Sequence, residues 1–496
     1  MQCSRALRLI AFGLLSGAFL MVSGCDSTGP NGESDDSDDH NGSQNQPPTA
    51  NVDVSSSMTD VGTQITLDGS GSSDPDGDDL TFNWTLSAPS GSNASLADPS
   101  AEQTTFTPDV EGDYIAELEV SDGDASDTDD ATVQAQDGTT ELNSDITSDR
   151  TLSADTSYLV TNTVAVDNEA TLTIEAGTQI MFENDVALWI NSGSALDANG
   201  ASGNPITMTA TDGNEQQGWW RGVAIYSNNA NNAMEYVEIR HAGSNDMSGI
   251  SEAASIALES EALLNLTNST IGDGGGYGVY LDASDASLES FASNTFSNNT
   301  DAPMWIPFTN IGMVDAATNF ADGTYVRVYG ASLSNDLTIS ALNGDTPYRF
   351  SSRPETGSAS VTVEPGVEMT FENDVSFWVN SGSALVADGT SSDPITMTAT
   401  PGNEQQGWWR GIAFYSNNAN NTLDYVEIRH AGKTDMSGIS EPTNVALESE
   451  SFLNLTNSTI TDSGGNGVYC DASDASLSAS GNTFSNNAGL DVGNCQ

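Results

Sequence analysis

Short runs of alternating hydrophobic and polar residues, separated by Gly, Asn, Asp and Ser, fill the chain from about residue 150 to its end. Side chains of a β-strand point alternately to its two faces, so a period of two predicts short, half-buried strands. No stretch of helical length shows the longer period of an amphipathic helix. The pattern therefore predicts an all-β protein, with strands at residues 172–174, 179–182, 187–190, 206–210, 223–226, 236–239, 256–258, 264–266 and 279–281.

A separate section, residues 47–138, shows the same alternation in fewer and more widely spaced runs. Gly, Asp, Pro and Ser turns divide these runs, and Pro47 and Pro48 open the section. Short strands with turn residues between them are typical of a β-sandwich. The section is therefore expected to fold as a small sandwich, with strands at residues 63–67, 80–86, 104–106, 114–120 and 131–133.

The later part of the chain contains a long internal duplication. Residues 213–222 return as 402–411 and residues 236–243 return as 425–432, at one offset (408 − 219 = 189 and 430 − 241 = 189). Self-similarity at a fixed distance is typical of solenoids. We expect two homologous lobes, residues 150–300 and 359–496, joined by connecting strands in residues 301–358. The sequence leaves open whether the lobes form one continuous solenoid.

Short β runs of this kind fit a sandwich, a propeller or a solenoid, and two features favour a right-handed parallel β-helix. The runs recur where successive coils would place aliphatic residues in register. Asparagines also recur before β-branched residues, at positions 268 and 294 and again at 457 and 482. Asparagines in successive coils can hydrogen-bond along the solenoid axis and satisfy backbone groups.

The charge of the chain limits its partners. It carries 71 acidic and 11 basic residues, a formal charge of −60, while 36% of it is hydrophobic and can build cores. Lys433 is the one lysine. This balance argues against nucleic acid as a partner and favours adaptation to high salt, where charge repulsion is screened. The alternative is an acidic secreted protein that binds many calcium ions.

The N-terminus has the pattern of an export signal. Arg5 and Arg8 precede an apolar run at residues 9–22, which is too short to span a bilayer in a mature protein. The small residues before Cys25 resemble a bacterial lipobox, so residues 1–24 are expected to be removed and Cys25 to be lipidated. This resemblance implies a lipid anchor in the membrane, with the outer membrane and cell surface as the expected location. An ordinary cleaved signal peptide is the alternative. Residues 25–46 are expected to form an acidic flexible tether.

Two cysteines remain after Cys3 leaves with the signal and Cys25 takes the lipid. Cys470 and Cys495 both lie near the end of an exported chain, where oxidising conditions favour a disulfide. One repeat earlier, the same positions hold the apolar Leu281 and Ile306. A bridge there would staple the last coil. Two buried free thiols are the alternative.

The sandwich section resembles the PKD-type immunoglobulin-like domain. The resemblance rests on the acidic segment 74–80, on Trp84, and on residues 106–109, 112–114 and 120–123. It implies that Trp84 is the core tryptophan. The alternating carboxylates of Asp74, Asp76 and Asp78 offer hard oxygen ligands, so calcium is the one cofactor that the sequence raises.

The duplicated region is similar to a group of secreted bacterial parallel β-helix proteins, which are mostly uncharacterised. The similarity rests on residues 174–177 and 205–208, on their copies at 363–366 and 394–397, and on the repeated motifs described above. It implies the fold and says little about function.

The repeated motifs also hold most of the candidate functional residues. Alternation along residues 236–241 directs Val237 and Ile239 inward and Tyr236, Glu238 and Arg240 outward. Arg240, His241, Arg429 and His430 are candidate acid–base residues of a β-helical polysaccharide lyase or glycoside hydrolase. Adjacent tryptophans beside glycines fit a sugar-stacking surface. The candidate ligand-binding residues are Trp219, Trp220, Arg221, Tyr236, Glu238 and Arg240, with their copies Trp408, Trp409, Arg410, Tyr425, Glu427 and Arg429.

Structural roles compete for the same residues: Glu238 and Arg240 as an ion-pair ladder, Trp220 as a cover for arginine side chains, and His241 as the cap of a turn. Duplication favours binding over catalysis, because linked sites gain avidity. The sequence thus favours a surface lipoprotein of a salt-adapted bacterium that binds polysaccharide or another cell-surface component without catalysis. A lyase or hydrolase and a structural envelope stalk are the alternatives.

Overall fold

The computed structural model describes residues 45–136, 138–154, 156–321 and 324–495. The expected signal peptide, the lipidation site Cys25 and nearly all of the tether lie outside these residues. In the described part nearly all regular structure is β-strand, which confirms the all-β prediction. Within it, no helix has the length and apolar character needed to cross a membrane.

The N-terminal section is a β-sandwich, as predicted. Its core includes Trp84, whose indole N–H donates to the carbonyl of Ala101 at 3.0 Å, and the fully buried Tyr114. Burial with a satisfied N–H is what a core tryptophan requires. One sheet contains Asp53–Val54, Ile65–Asp68 and Gln103–Phe106, and the other contains Met58–Asp60, Ser126–Gln136, Gly112–Ser121 and Thr81–Ser87.

From Thr139 onward the chain forms a parallel β-helix, which begins earlier than the predicted start at residue 150 because Thr139–Leu142 already pairs in parallel with Ser157–Val160. We call its two longest sheets A and B. Sheet A contains Thr139–Leu142, Ser157–Val160, Gln179–Phe182, Ile206–Ala210, Val237–Arg240, Thr270–Gly272, Thr295–Ser297 and Asn319–Phe320. Sheet B contains Val164–Val166, Ala187–Ile190, Gly222–Ile225, Ala254–Leu258, Tyr277–Leu281, Met304–Pro307, Val326–Tyr329, Tyr348–Phe350, Glu368–Phe371, Ile395–Ala399, Val426–Arg429, Thr459–Thr461 and Thr483–Ser485.

Three further sheets complete the coils. Sheet C belongs to the first lobe and contains Arg150–Leu152, Thr171–Ile174, Ala195–Asn199, Ala233–Glu235, Leu263–Thr267 and Ser287–Ala292. Sheet D belongs to the second lobe and contains Ser376–Val379, Gly411–Phe414, Thr443–Leu447, Asn466–Cys470 and Val492–Gly493. Sheet E contains Leu337–Ile339, Val361–Val363, Leu385–Asp388, Thr422–Asp424, Phe452–Thr456 and Ser476–Ser480.

Inward side chains stack in register from coil to coil, as the sequence predicts. Strand pairing aligns Ile180, Met208 and Ile239 in sheet A, and all three are buried. Each fully buried aliphatic side chain stabilises the fold by roughly 1.5–3 kcal/mol. Because the ladder is continuous, each coil buries its core against its neighbours.

Asparagines link successive coils, as predicted. Asn294 accepts a hydrogen bond from the N–H of Ser269 at 3.0 Å and donates to the carbonyl of Leu266 at 2.9 Å. In the second copy Asn482 bonds Ser458 in the same way. These amides satisfy buried backbone groups at the corners, where sheet pairing is interrupted.

The lobes form one continuous solenoid, because sheet B runs through both of them. Two short 3-10 helices take the place of strands between the copies. Phe308–Met313 contacts the last strand of sheet C and the first strand of sheet E, and Asn343–Asp345 contacts the last strand of sheet A. Sheet A ends there and sheet D begins beyond it. Equivalent strands of the two copies therefore lie in different sheets: Val237–Arg240 is in sheet A and Val426–Arg429 is in sheet B.

The predicted disulfide is confirmed. Cys470 and Cys495 are bonded, with Cα atoms 4.9 Å apart. Their counterparts one repeat earlier, Leu281 and Ile306, are fully buried core residues. The covalent bond thus ties down the last coil, which no further described coil covers.

Candidate functional site

Trp220 and Trp409 are core residues of the β-helix. Both are fully buried, and the Trp220 ring stacks on Phe182 with centroids 3.8 Å apart. Trp409 stacks on Phe371 at 4.1 Å. The indole N–H of Trp220 donates to the carbonyl of Arg240 at 2.8 Å. The prediction that these two rings bind a ligand is wrong, because the core encloses them.

Trp219 and Trp408 are half-buried and fasten a corner of the coil. The indole N–H of Trp219 donates to the carbonyl of Phe182 at 3.0 Å, and its backbone N–H donates to the carbonyl of His241 at 2.7 Å. Trp408 makes the equivalent bonds to Phe371 and His430. The two adjacent tryptophans of each copy therefore do not form a joint stacking surface.

The histidines sit at the bend that follows the motif strand. His241 and His430 adopt left-handed conformations, with φ of 61° and 63°. The Nδ1 atom of His241 lies 2.9 Å from the Thr209 hydroxyl, and that of His430 lies 2.8 Å from the Thr398 hydroxyl. Burial lowers the pKa of both imidazoles. These contacts fit the structural role at a turn that the sequence left open.

Arg240 forms an ion-pair network on the outer face of sheet A. The predicted outward direction of Glu238 and Arg240 is confirmed by their partial exposure. Arg240 reaches Asp273 at 3.2 Å and Glu238 at 3.6 Å. Tyr236 is partly exposed as well, but its φ of 49° places it in the corner before the strand and not in the strand itself. Exposed pairs of this kind contribute about 0–1 kcal/mol each.

The second copy repeats this network on sheet B. Arg429 is paired with Glu427, and Nε2 of His430 lies 4.0 Å from Asp462. Tyr425, with φ of 47°, again occupies the corner. Because the copies occupy different sheets, these residues do not form one continuous stripe along the solenoid.

Arg221 and Arg410 are held by bidentate ion pairs. Nε and Nη2 of Arg221 donate to the two carboxylate oxygens of Asp185 at 2.9 and 3.0 Å. The hydrogen bonds from Arg221 lower the pKa of Asp185 to about 2. Arg410 holds Asp374 in the same geometry, at 3.0 and 2.9 Å. Such pairing fixes the guanidinium plane and leaves its remaining N–H edge free to bind a ligand.

Each of these arginines lines a surface pocket, which we call shelf pocket 1 and shelf pocket 2. Shelf pocket 1 has a volume of about 440 Å³ and is lined by Trp189, Arg221 and residues 246–251. Shelf pocket 2, of about 530 Å³, is lined by Arg410 and residues 435–440. Both volumes fall in the usual range for small-ligand sites.

Trp189 and its counterpart in the second copy, Trp378, differ in how their rings are covered. In the first copy the half-buried Trp189 packs edge-on against Tyr226, with centroids 6.3 Å apart. In the second copy the guanidinium of Arg353 lies over the ring of the equivalent Trp378, 3.6 Å from its centroid. A cation stacked on the ring occupies the face that a sugar would use. Trp189 is therefore the more available of the two rings.

Comparisons with known proteins agree with this architecture. Residues 51–135 match a family of PKD domains, and residues 144–255 match the pectate-lyase like beta helix domain. The chain carries a PKD domain followed by a pectate-lyase-like β-helix. This pair of domains indicates a carbohydrate-related extracellular protein.

Other comparisons add little to the two domain matches. No curated protein matches the chain. One similar solved structure is a nucleoside hydrolase-related hypothetical protein from Saccharophagus degradans that is associated with carbohydrate metabolism. It is 27% identical over 18% of this chain, with a TM-score of 0.17, and the match covers 26% of that protein.

The acidic segment of the PKD domain forms a turn. Oδ1 of Asp74 accepts the backbone N–H groups of Asp76 and Asp78 at 2.7 and 3.2 Å, and Asp76 accepts two hydrogen bonds from Gln46. Nowhere in the described part of the chain do three or more acidic, histidine or cysteine residues gather in a group that could hold a metal ion. Oδ2 of Asp74 is buried and has no hydrogen-bond partner among the described residues, so the calcium site stays a prediction.

Trp189 and Trp378 were not among the candidates from the sequence, although a signal for them was present. Trp189 and Trp378 lie one repeat apart, at the strand position where alternation predicts an outward side chain. A large aromatic residue at an outward strand position is a candidate for ligand contact.

Proposed function

We propose that the protein binds polysaccharide at the cell surface without cleaving it, through shelf pocket 1 and, more weakly, shelf pocket 2. The observation that carries the proposal is the half-buried ring of Trp189 beside the fixed guanidinium of Arg221 in one pocket. An aromatic face packs against the C–H groups of a sugar ring, and an arginine edge donates to its hydroxyl groups.

The loop at residues 246–251 supplies the other wall of shelf pocket 1. Met247 and Ile250 anchor it by burial, and the hydroxyl of Tyr226 donates to the carbonyl of Ser248 at 2.6 Å. The loop is thus held in place before a ligand arrives, which lowers the entropic cost of binding.

The contacts of the predicted acid–base residues support binding rather than catalysis. Arg240 is occupied by two carboxylates, and the His241 ring is held by Thr209. Their strand lies in sheet A, whereas shelf pocket 1 is built on sheet B. One observation favours the hydrolase alternative: burial, and secondarily the nearby Asp282, raise the pKa of Glu259, a shift expected of a general acid.

The proposal includes anchoring and environment. The lipobox-like segment ending at Cys25 supports attachment to the outer membrane by lipid, with the acidic tether and the PKD domain as spacers. The charge of −60 supports a salt-adapted bacterium as the source.

The test is binding of the full chain, purified in detergent, to a glycan array in molar salt. Trp189→Ala should weaken binding on the order of tenfold or more, as truncation of a central aromatic contact does. Trp378→Ala is the matched control and should cost less, because Arg353 already covers that ring.

A second control separates the two faces of the solenoid. Tyr236→Asn changes a corner residue of sheet A, keeps the left-handed backbone accessible, and should leave binding unchanged. Equal losses for Trp378→Ala and Trp189→Ala would contradict the assigned pocket. Release of reducing ends or unsaturated products from bound glycans would instead establish the enzymatic alternative.

A further inference from the structure

The junction between the two copies holds a cavity that the duplication does not explain. It has a volume of about 210 Å³, and its lining includes Tyr325, Pro347, Arg349, Glu368 and Pro401. Sites for drug-sized ligands span about 300–1,000 Å³, so this cavity suits a smaller ligand.

Arg349 and Arg150 are the two cations of the described part that form no ion pair with a described residue, and Arg349 is the one that lines a cavity. Arg221, Arg240 and Arg327 there all pair with carboxylates, as do Arg353, Arg410, Arg429 and Lys433. Arg349 forms no such pair with any described residue; its guanidinium lies over the ring of Tyr325, 3.4 Å from the centroid. Its Nε is buried and has no hydrogen-bond partner among the described residues. In a chain so rich in acidic residues, an arginine in this state calls for an explanation.

Glu368 lines the same cavity and is also unpaired. Its carboxylate makes no hydrogen bond and no ion pair with another described residue, and burial raises its pKa. Arg349 and Glu368 are on neighbouring strands yet do not bridge each other. A donor and an acceptor thus line one small cavity, and neither is paired with a described residue.

The strand Val326–Tyr329, next to that of Arg349, adds a second positive charge beside it. Arg327 lies directly opposite Arg349 in sheet B, and like charges in that position repel. Arg327 is neutralised by Glu372 at 3.2 Å and donates to the hydroxyl of Tyr277 at 2.9 Å. Arg349 receives no comparable support from the described residues.

The first copy lacks this arrangement. By the same strand pairing, Leu159 stands where the junction has Arg349, and Gln179 stands where it has Glu368. The cavity chemistry therefore occurs once in the duplicated part of the chain, at the point where the copies join.

We propose that the junction cavity binds a single sugar ring of the polysaccharide, with Arg349 donating to one hydroxyl group and Glu368 accepting from its neighbour. This inference rests on the proposed function and names a further subsite for it. Pro347 and Pro401 supply apolar walls for the C–H groups of the ring. The carboxylates of Glu368 and Asp345 in the cavity favour a neutral sugar over an acidic one.

The test is calorimetry of the full chain with the methyl glycosides of glucose, galactose and mannose and with glucuronic acid, at millimolar concentration. One neutral sugar should bind, with one equivalent per chain at a site that Trp189→Ala leaves unchanged. Arg349→Gln and Glu368→Gln should each weaken it roughly tenfold or more, as loss of a charge-assisted hydrogen bond does. Arg150→Gln, which changes another arginine without an ion pair in the described part, should not.

Three outcomes would overturn the proposal: no neutral sugar binds, Arg349→Gln binds as tightly as the parent, or only glucuronic acid binds. If Arg349→Gln lowers the melting temperature, Glu368→Gln decides, because that side chain makes no hydrogen bond to a described residue that could be lost. Trp189→Ala should leave this binding unchanged. Failure of the shelf pockets and failure of the junction cavity are therefore separately visible.

Discussion

His241 and His430 couple the stability of the two copies to pH. Burial holds the folded pKa of each imidazole below the ordinary value of 6.5. The unfolded chain therefore binds more protons between the two pKa values, so stability is fully present above about pH 6.5 and falls as the pH is lowered toward the folded pKa. The melting temperature should therefore decrease as the pH is lowered from about 7.5 to about 5.5.

The double variant His241→Asn, His430→Asn isolates this effect, because asparagine tolerates the left-handed backbone and does not titrate. Its melting temperature should fall less over the same pH range than that of the parent. An unchanged pH slope would show that the carboxylates, and not the imidazoles, set the acid sensitivity.

For single residues, the alternating pattern predicted which side chains point into the core and which point outward. It did not predict which residues contact each other. It placed Val237 and Ile239 inside and Arg240 outside, as the structure does. It could not place Trp220, because this residue lies in a turn before its strand, where the period of two does not apply. Its burial depends on Phe182 of the neighbouring coil, a contact set by coil stacking.

The disulfide acts on one element, the last coil. Closing a loop between cysteines that are 25 positions apart is worth about 3.5 kcal/mol in the chain-entropy account. Solenoid coils contact mainly their neighbours, so the effect should stay local. Hydrogen exchange after reduction should accelerate in residues 466–495.

Residues 277–307, one repeat before the disulfide coil, provide the internal reference. They have the core residues Leu281 and Ile306 in place of the cysteines and lie beneath further coils. Their exchange should be the same in oxidised and reduced protein. Faster exchange there, or no acceleration in the last coil, would contradict local stapling.

At the level of elements, the sequence predicted parallel coils and their duplication but not the displacement of equivalent strands from sheet A to sheet B. The exact offset of 189 residues gave no sign of it. The displacement depends on Phe308–Met313 and Asn343–Asp345, which replace strands in a segment that has no counterpart in the copies. A repeat comparison cannot report on residues that are not repeated.

For the whole molecule, the displacement of equivalent strands into different sheets means that the two copies do not present identical surfaces. Shelf pocket 1 is built on sheet B and the equivalent elements of shelf pocket 2 on sheet D, while sheet B carries the junction cavity between them. The proposed sites of the two copies are therefore related but unequal. Linked unequal sites still gain avidity when one ligand chain reaches both.

The acidic surface of the whole chain should make its stability depend on salt. With a formal charge of −60, self-repulsion is strong at about 0.1 M salt, where the Debye length is about 10 Å, and weak at about 1 M, where it is about 3 Å. The melting temperature should rise by several degrees over this range of sodium chloride. Sucrose at matched water activity controls for solvent exclusion. Millimolar calcium tests the alternative reading: if it alone reproduces the full rise, the acidic residues serve as calcium ligands, and adaptation to salt is no longer needed to explain them.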